Sequence, residues 1–275
     1  MTDVIIIGAG CAGLTAAIYA QRAGLSTILL EENFYGGQIA ISNEIENYPA
    51  IPSITGPELA QQIYAQAESL GAQIRFETVT QAELSANPKV VTTHTERYEA
   101  KAVIIANGVK RRKLGCPGEE AFTGRGVSYC ATCDGMLYRG KPVAVVGYTD
   151  TARQEAEFLQ KIGCSVTYFD RPKQCEIRGD GRVESVTCDG RTIPAEGVFI
   201  LRPTMAPTEL FPGLAVEQGY VTVDRRMATN LPGLFAAGDC TGGPLQVSKA
   251  AGDGLIAGQS AAAWAAAQER REKQS

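Results

Sequence analysis

Short apolar runs and an amphipathic stretch alternate near the start of the chain. Residues 3–7 read Asp-Val-Ile-Ile-Ile, the pattern of a fully buried strand, and residues 14–23 follow with helical spacing. Residues 26–31 form a second apolar run after Gly24. The pattern therefore predicts a strand, a helix and a second strand within about 30 residues, which is the β-α-β unit of a parallel sheet.

The same pattern recurs later in the chain. A second strand-helix-strand is predicted at residues 143–147, about 151–162 and 165–169. The remaining predicted elements are a helix at 57–70, strands within 74–105, a hairpin around Asp189-Gly190 that leads to a strand at 198–201, a strand before Gly238, and a helix from about Gly252 to Glu272. Two β-α-β starts predict an α/β protein in which a small domain, residues 114–201, is inserted into a larger one, residues 1–113 and 202–275.

Composition narrows the possible classes. The chain has 275 residues, 44% of them hydrophobic, so two domains with ordinary cores are possible. A net charge of −4 disfavours a nucleic-acid binder, because phosphates require an excess of basic residues. No apolar run approaches the roughly 18 residues of a membrane span, and the N-terminus lacks the regions of a signal peptide. We therefore expect a cytoplasmic protein with no membrane partner.

The cysteines point to redox chemistry. Of eight cysteines, Cys130 and Cys133 alone have C-x-x-C spacing, and a zinc ribbon would need a second such pair. In a reducing compartment the other cysteines are expected to be small core residues. The single histidine, His94, excludes a His-rich metal site, so no bound metal is expected.

A glycine-rich segment follows the first predicted strand. Gly8, Gly10 and Gly13 form G-x-G-x-x-G, and Glu31 ends the next strand. In this context the first glycine allows a tight turn, the second lets the backbone approach a pyrophosphate, and the third lets the helix pack closely on the strand. Glu31 can accept hydrogen bonds from a ribose. This combination predicts a dinucleotide site but does not separate NAD from FAD.

Two later segments favour FAD. Ala106-Asn107-Gly108 ends one strand and Gly238-Asp239 ends another, and Asp239 is placed to bind a ribityl hydroxyl. In this order they resemble the flavin fingerprints of flavoproteins with two dinucleotide-binding folds. The further residues expected at the flavin from this resemblance are Ala12, Gly37, Gln38, Asn47, Val79, Gln246 and Val247.

The string Tyr129-Cys130-Ala131-Thr132-Cys133-Asp134 is the most specific in the chain. Two intervening residues allow a disulfide across one helical turn, and a helix N-terminus lowers the pKa of a thiol. Asp134 directly after the pair can move a proton when a thiolate forms or leaves. We therefore predict that Cys130, Cys133 and Asp134 are catalytic.

Taken with the glycine motifs, this string resembles the low-molecular-weight thioredoxin reductases. The match covers almost the whole length and includes Gly8 to Gly13, Gly36-Gly37-Gln38, Cys130 to Gly135, Gly238-Asp239 and Gln246. The resemblance implies a homodimeric flavoprotein with a large Rossmann-like FAD domain and a smaller one that carries C-x-x-C and rotates during turnover. It also implies that Cys133 lies nearer the flavin and that Cys130 attacks the disulfide of thioredoxin.

The second dinucleotide loop departs from that family. Thr149 stands at its second glycine position, where a Cβ would obstruct a pyrophosphate, between the bulky Tyr148 and the charged Asp150. Asp170 ends the next strand, where NADPH users carry arginines, and the segment after Cys175 is too short for the usual helix and strand. The sequence thus predicts a shortened domain that has lost NADPH recognition.

In losing NADPH recognition while keeping the flavin and C-x-x-C motifs, the chain resembles the ferredoxin-dependent flavin thioredoxin reductases. The expected reaction passes electrons from reduced ferredoxin through FAD to Cys130–Cys133 and then to thioredoxin. Two alternatives stay open: an NADPH-dependent enzyme with degenerate motifs, and a flavin-binding subunit whose cysteines serve assembly or redox sensing. The basic run Lys110-Arg111-Arg112-Lys113 could meet an acidic ferredoxin, although a solvated loop is the favoured interpretation. Trp264 and Cys240 are expected to be packing residues.

Overall fold

The computed structural model describes residues 1–111, 113–202, 204–205, 208 and 210–272. Contacts divide the chain into two units, Met1–Lys110 with Met205–Ser275, and Arg111–Thr204. The strands are β1 (Thr2–Ile7), β2 (Thr27–Glu31), β3 (Gln73–Phe76), β4 (Val79–Glu83), β5 (Lys89–Thr93), β6 (Arg97–Ile105), β7 (Lys110–Arg111), β8 (Val127–Ser128), β9 (Pro142–Gly147), β10 (Ser165–Asp170), β11 (Cys175–Arg178), β12 (Ser185–Cys188), β13 (Arg191–Pro194), β14 (Gly197–Leu201), β15 (Thr204–Met205), β16 (Val216–Glu217), β17 (Tyr220–Val221) and β18 (Leu234–Ala236).

The helices are α1 (Cys11–Arg22), α2 (Gly56–Ser69), α3 (Ala131–Asp134), α4 (Ala152–Lys161) and α5 (Val247–Glu272), with short 3₁₀ helices at Gly37–Ile41, Gly135–Tyr138 and Asp239–Thr241. This element order confirms the predicted α/β class. Within the described part of the chain, every helix is too short or too polar to cross a bilayer.

The first unit is built on a seven-stranded sheet in the order β3-β2-β1-β6-β5-β4, with β18 paired to β6. Strands β1, β2, β3, β6 and β18 run parallel, so their carboxyl ends meet at one edge. Alternate residues of β1 enter two hydrophobic clusters: Val4 and Ile6 pack with α1 and α5, whereas Ile5 and Ile7 pack on the opposite face. The apolar run of β1 therefore reflects burial on both faces.

Helix α5 begins at Val247, whereas the sequence predicted a start near Gly252. That prediction was wrong because Gly252 lies inside the helix and not at its start. A Cβ at Gly254 would lie 2.3 Å from the Ala12 carbonyl oxygen, and one at Gly258 would lie 2.7 Å from that of Ala16. The two glycines therefore let α5 approach the backbone of α1 closely.

The second unit contains a parallel sheet in the order β10-β9-β14-β8 and an antiparallel sheet in the order β11-β12-β13. The predicted hairpin at Asp189-Gly190 is confirmed, since both residues have positive φ, 46° and 82°, between β12 and β13. After β10 the chain enters this small antiparallel sheet directly. The shortened domain predicted from the sequence agrees with this arrangement.

Candidate functional site

The glycine-rich loop of the first unit lies at the carboxyl end of β1 and opens α1. The Glu31 carboxylate at the end of β2 accepts hydrogen bonds from the backbone N–H of Ala9 at 2.8 Å and of Asn33 at 3.0 Å. The predicted acidic residue is thus fixed beside the loop. Its remaining lone pairs are available to a ribose hydroxyl.

The three motif glycines have different surroundings. Gly8 has φ of 104°, and a Cβ there would lie 2.4 Å from the Ala106 carbonyl oxygen. A Cβ at Gly13 would lie 1.9 Å from the Gly8 carbonyl oxygen, so this glycine permits close packing of helix and strand. Around a Cβ at Gly10, by contrast, no atom from another part of the described chain lies within 4 Å. The open backbone at Gly10 is therefore suited to the approach of a phosphate.

The turn that follows β18 lies at the same sheet edge. Gly238 has φ of 84°, and its N–H donates to the Asp253 carboxylate at 3.1 Å. The Lys249 ammonium donates to the carbonyl oxygens of Gly238 and Gly242, both at 2.8 Å, and pairs with Asp253 at 2.8 Å. This network fixes the turn that begins with Asp239. Sequence reasoning missed Lys249 and Asp253, because the predicted helix began near Gly252 and left Lys249 outside it.

The structure brings several other predicted flavin residues to this region. The side-chain amide of Asn47 donates to the Gln246 amide oxygen at 3.0 Å, and Val247 follows as the first residue of α5. A Cβ at Gly37 would lie 3.3 Å from the Gly10 Cα, and Gln38 lies in the same 3₁₀ helix. Val79 instead begins β4 and is buried in the cluster on the other face of the sheet from α1.

These features fit a bound dinucleotide. The parallel strands bring the Gly8–Gly10 loop, Glu31, Ala106-Asn107-Gly108 and Gly238-Asp239 to one edge, where such ligands bind in open α/β sheets. The clearance at Gly10 and the fixed carboxylate at Glu31 suit a pyrophosphate and a ribose. The individual cofactor contacts stay predictions.

In the second unit, Cys130 and Cys133 form a disulfide with Cα atoms 5.3 Å apart. Cys130 precedes the single turn of α3, and its sulfur accepts the backbone N–H of Cys133 at 3.2 Å. Negative charge on the Cys130 sulfur would be stabilised by this donor when the disulfide opens. Both cysteines are partly exposed, so another molecule can approach them.

Asp134 lies directly beside the disulfide. The Ser128 hydroxyl donates to the Asp134 carboxylate at 2.6 Å, and the backbone N–H of Cys130 donates to the Ser128 oxygen at 3.2 Å. Ser128 is buried in β8, so it holds the acid in a defined position next to the redox pair. Sequence reasoning assigned no role to Ser128.

The side chains of the second dinucleotide loop contact other residues of the second unit. The Tyr148 hydroxyl donates to the Pro172 carbonyl oxygen at 2.6 Å, and the Arg202 guanidinium lies 5.1 Å from the Tyr148 ring centre. Asp150 pairs with Arg171 at 2.8 Å, and a second ion pair links Arg153 to Asp170 at 3.3 Å. Both basic side chains near the strand end therefore face carboxylates.

The predicted packing residues also have clear contacts. The Trp264 indole N–H donates to the Lys101 carbonyl oxygen at 3.0 Å. Cys240 is fully buried, and its thiol donates to the carbonyl oxygens of Ile105 and Ala237. Burial raises the pKa of this thiol to about 12, which keeps it protonated and unreactive.

The parallel sheet with a glycine-rich loop, together with a C-x-x-C disulfide in the second unit, defines the class of flavin-linked disulfide oxidoreductases. The model of the pyridine nucleotide-disulphide oxidoreductase family matches residues 2–178 and 171–254. Thioredoxin reductases of Listeria innocua and Bacillus subtilis are 40% and 37% identical, each over 94% of this chain and over 92% and 93% of theirs. The chain therefore belongs to this family, and within it to the thioredoxin reductases.

Solved structures agree with this assignment. Thioredoxin reductase from Streptococcus pyogenes superimposes with a TM-score of 0.89 at 35% identity, covering 96% of this chain and 98% of that one. A ferredoxin-flavin thioredoxin reductase from Clostridium acetobutylicum has a TM-score of 0.59 at 37% identity, covering 95% and 97%. The predicted two-domain flavoprotein fold is confirmed, and these relatives support thioredoxin reductase as the function of this chain.

Proposed function

We propose that this chain is a thioredoxin reductase whose electrons come from reduced ferredoxin, and that Cys130 and Cys133 deliver them to thioredoxin. FAD, held by the first unit, would supply the conversion from single-electron to two-electron transfer. The Gly8–Gly10 loop, Glu31 and Asp239 are the residues we expect to hold it.

The observation that carries the donor assignment is the state of the second dinucleotide loop. The Arg202 guanidinium lies over the Tyr148 ring beside the loop. Thr149 stands at the position where the approach of a pyrophosphate would need glycine. The carboxylates of Asp150 and Asp170 pair with Arg171 and Arg153, which are the basic groups near the strand end that could bind a 2′-phosphate. These exposed ion pairs add little stability, but their carboxylates would repel NADPH phosphates.

The geometry of the disulfide supports the route by which we propose that electrons leave the protein. After two-electron reduction, the Cys130 thiolate attacks one sulfur of thioredoxin's disulfide, and the other thioredoxin sulfur leaves as a thiolate. Cys133 then attacks the Cys130 sulfur, which breaks the mixed disulfide and releases reduced thioredoxin. The Cys133 N–H favours charge on Cys130, and Asp134 is placed to move a proton in these steps.

An anaerobic spectral titration of the FAD-loaded protein tests the donor. Reduced ferredoxin should bleach the flavin within the mixing time, whereas NADPH and NADH in excess should leave it oxidised. Rapid and complete bleaching by NADPH would favour the first alternative, an NADPH-dependent enzyme. The Clostridium acetobutylicum relative, named as a ferredoxin-flavin enzyme, supports the proposed donor.

The second alternative is a flavin-binding subunit in which the cysteines serve sensing or assembly. The hydrogen bond from Ser128 to Asp134 favours an enzyme, because it fixes an acid beside the redox pair. Protein reduced by dithionite and freed of excess reductant should convert oxidised thioredoxin to its dithiol. A subunit of the alternative kind would leave thioredoxin oxidised.

The setting of the enzyme is also a proposal, supported by the family resemblance. We expect a cytoplasmic homodimer with thioredoxin and ferredoxin as its protein partners and no nucleic acid or membrane partner. In the basic run proposed to meet ferredoxin, Arg112 and the side chains of Lys110 and Arg111 lie outside the described residues. Exposed Lys113 pairs with Glu120 at 3.2 Å.

A further inference from the structure

Three cysteines outside the C-x-x-C motif lie near one another in the second unit. Cys175 begins β11 and Cys188 ends β12. Cys116 lies in a segment that contacts β11. That segment is fixed by a hydrogen bond from the Ile177 N–H to the Pro117 carbonyl oxygen at 2.9 Å. Nothing in the sequence groups these residues, because 59 positions separate Cys116 from Cys175.

Cys175 and Cys188 are directly opposite each other in the antiparallel pair of β11 and β12. The backbone N–H of Asp189 donates to the Gln174 carbonyl oxygen at 2.9 Å, which joins the residues that flank the cysteines. That bond makes Cys175 and Cys188 a non-hydrogen-bonded pair, in which Cα atoms are about 4.5 Å apart and side chains are closest. A separation of about 4.4–6.8 Å suits a disulfide.

The two thiols interact as they stand. The interaction between these opposed thiols raises the pKa of Cys175 and lowers that of Cys188. Cys188 is buried, with 1% of its surface exposed, whereas Cys175 is partly exposed. Cys175 is therefore the member of the pair that is more accessible to solvent.

Other interpretations of the cluster are weaker. Cys116 lies outside the paired strands, so the register of β11 with β12 does not place it opposite either cysteine. Among the described residues, no group of three His, Cys, Asp or Glu side chains is arranged to hold a metal ion. The opposed pair is thus better suited to oxidation than to metal binding.

We propose that Cys175 and Cys188 are a second redox-active pair, which a peroxide closes to a disulfide. One thiol of the pair releases its proton to solvent, and the resulting thiolate attacks one peroxide oxygen. The O–O bond breaks, and the departing hydroxide takes a proton from solvent and leaves as water. The resulting sulfenic acid is attacked by the other thiol, the S–O bond breaks, and the leaving hydroxyl takes the proton of that thiol and departs as a second water. The two thiols supply two electrons, and hydrogen peroxide accepts both.

Peptide mapping of the FAD-loaded protein tests the pairing. The protein is reduced, freed of reductant, treated with hydrogen peroxide, blocked with N-ethylmaleimide and digested with trypsin without reductant. A peptide of residues 174–178 linked to residues 183–191 is expected, and dithiothreitol should separate the two. Linkage of residues 174–178 to peptide 114–125 or 126–139, or labelling of Cys175 by maleimide after peroxide treatment, would overturn the proposal.

Three single variants test which cysteines form the linked peptide. Cys175→Ser changes the partly exposed member and should abolish the linked peptide while the protein stays folded. Cys164→Ala removes a buried thiol of the same unit that donates to the carbonyl oxygens of Gly135 and Tyr138, and it should retain the link. Cys116→Ser should retain it as well, and loss of the link in this variant would contradict the two-cysteine assignment.

Discussion

The Ser128 hydroxyl donates a 2.6 Å hydrogen bond to the Asp134 carboxylate, which joins a buried strand residue to the acid beside the redox disulfide. This bond restricts the rotation of Asp134, and the Ser128 oxygen also accepts the Cys130 N–H. Positioning of the acid and of the first cysteine therefore depends on one serine.

We expect Asp134→Asn to slow thioredoxin reduction by about a hundredfold, because general acid–base groups contribute factors of this order. Ser128→Ala should slow it about fivefold, since one hydrogen bond contributes about 1 kcal/mol. The measurement is a single turnover of dithionite-reduced protein with oxidised thioredoxin. Thr132→Ala, which removes an exposed hydroxyl 3.5 Å from the Cys130 sulfur, is the control and should have a smaller effect than Ser128→Ala.

Two glycines of one loop should respond differently to the same added methyl group. Gly10 has φ of −73° and open space around its Cβ position, so Gly10→Ala should fold normally yet bind FAD at least about tenfold more weakly. Gly13→Ala should destabilise the fold by about 3 kcal/mol, because its Cβ would overlap the Gly8 carbonyl. Flavin titration and urea unfolding of the apoprotein distinguish them. Equal loss of stability in both variants would contradict this division of roles.

The ion pair beneath the Gly238 turn should matter for stability. The side chains of Lys249 and Asp253 are 19% and 12% exposed, so Lys249→Met leaves a largely buried carboxylate without its cation. We expect a loss of about 3 kcal/mol in the free energy of unfolding, measured in urea. The double variant Lys249→Met/Asp253→Leu should lose less than the sum of its single variants, and strict additivity would argue against the pair. Exposed Lys161→Met serves as the control.

Asp3 should contribute to the loss in the free energy of unfolding at acidic pH. Burial alone raises the pKa of Asp3, but hydrogen bonds from Lys101 and Ser26 outweigh it, and the net pKa is lowered. The stabilisation is therefore complete above the pKa of the unfolded state and is lost as pH falls through the lower folded pKa. Asp3→Asn should flatten the pH dependence of unfolding in this window. Urea midpoints that fall equally with pH in both proteins would refute the assignment.

The sequence predicted features that depend on local order. The β-α-β unit, the glycine loop and the disulfide each involve residues close together in the chain, and Gly8, Glu31 and Cys130 could be assigned from spacing alone. The start of α5 was missed because Gly252 was taken as the beginning of the helix, whereas it lies inside the helix.

Features that depend on strand register could not be predicted. The opposition of Cys175 and Cys188 requires the pairing of β11 with β12, and a shift of one residue would separate the two thiols. Similarly, Asp150 and Arg171 are 21 positions apart and meet because parallel strands end at the same edge. The sequence did indicate a damaged nucleotide loop, but the ion pairs within it required the fold.

The packing of α5 on α1 has a consequence for biosynthesis. Helix α1 ends at Arg22 and α5 begins at Val247, so about 225 residues, or roughly 10–45 s of translation, separate the synthesis of the two helices. The second unit leaves the ribosome within that interval. Until Lys249 and Asp253 emerge, the turn at Gly238 lacks the side chains that fix it. Acquisition of the flavin should therefore be a late event, after the redox unit has had time to fold.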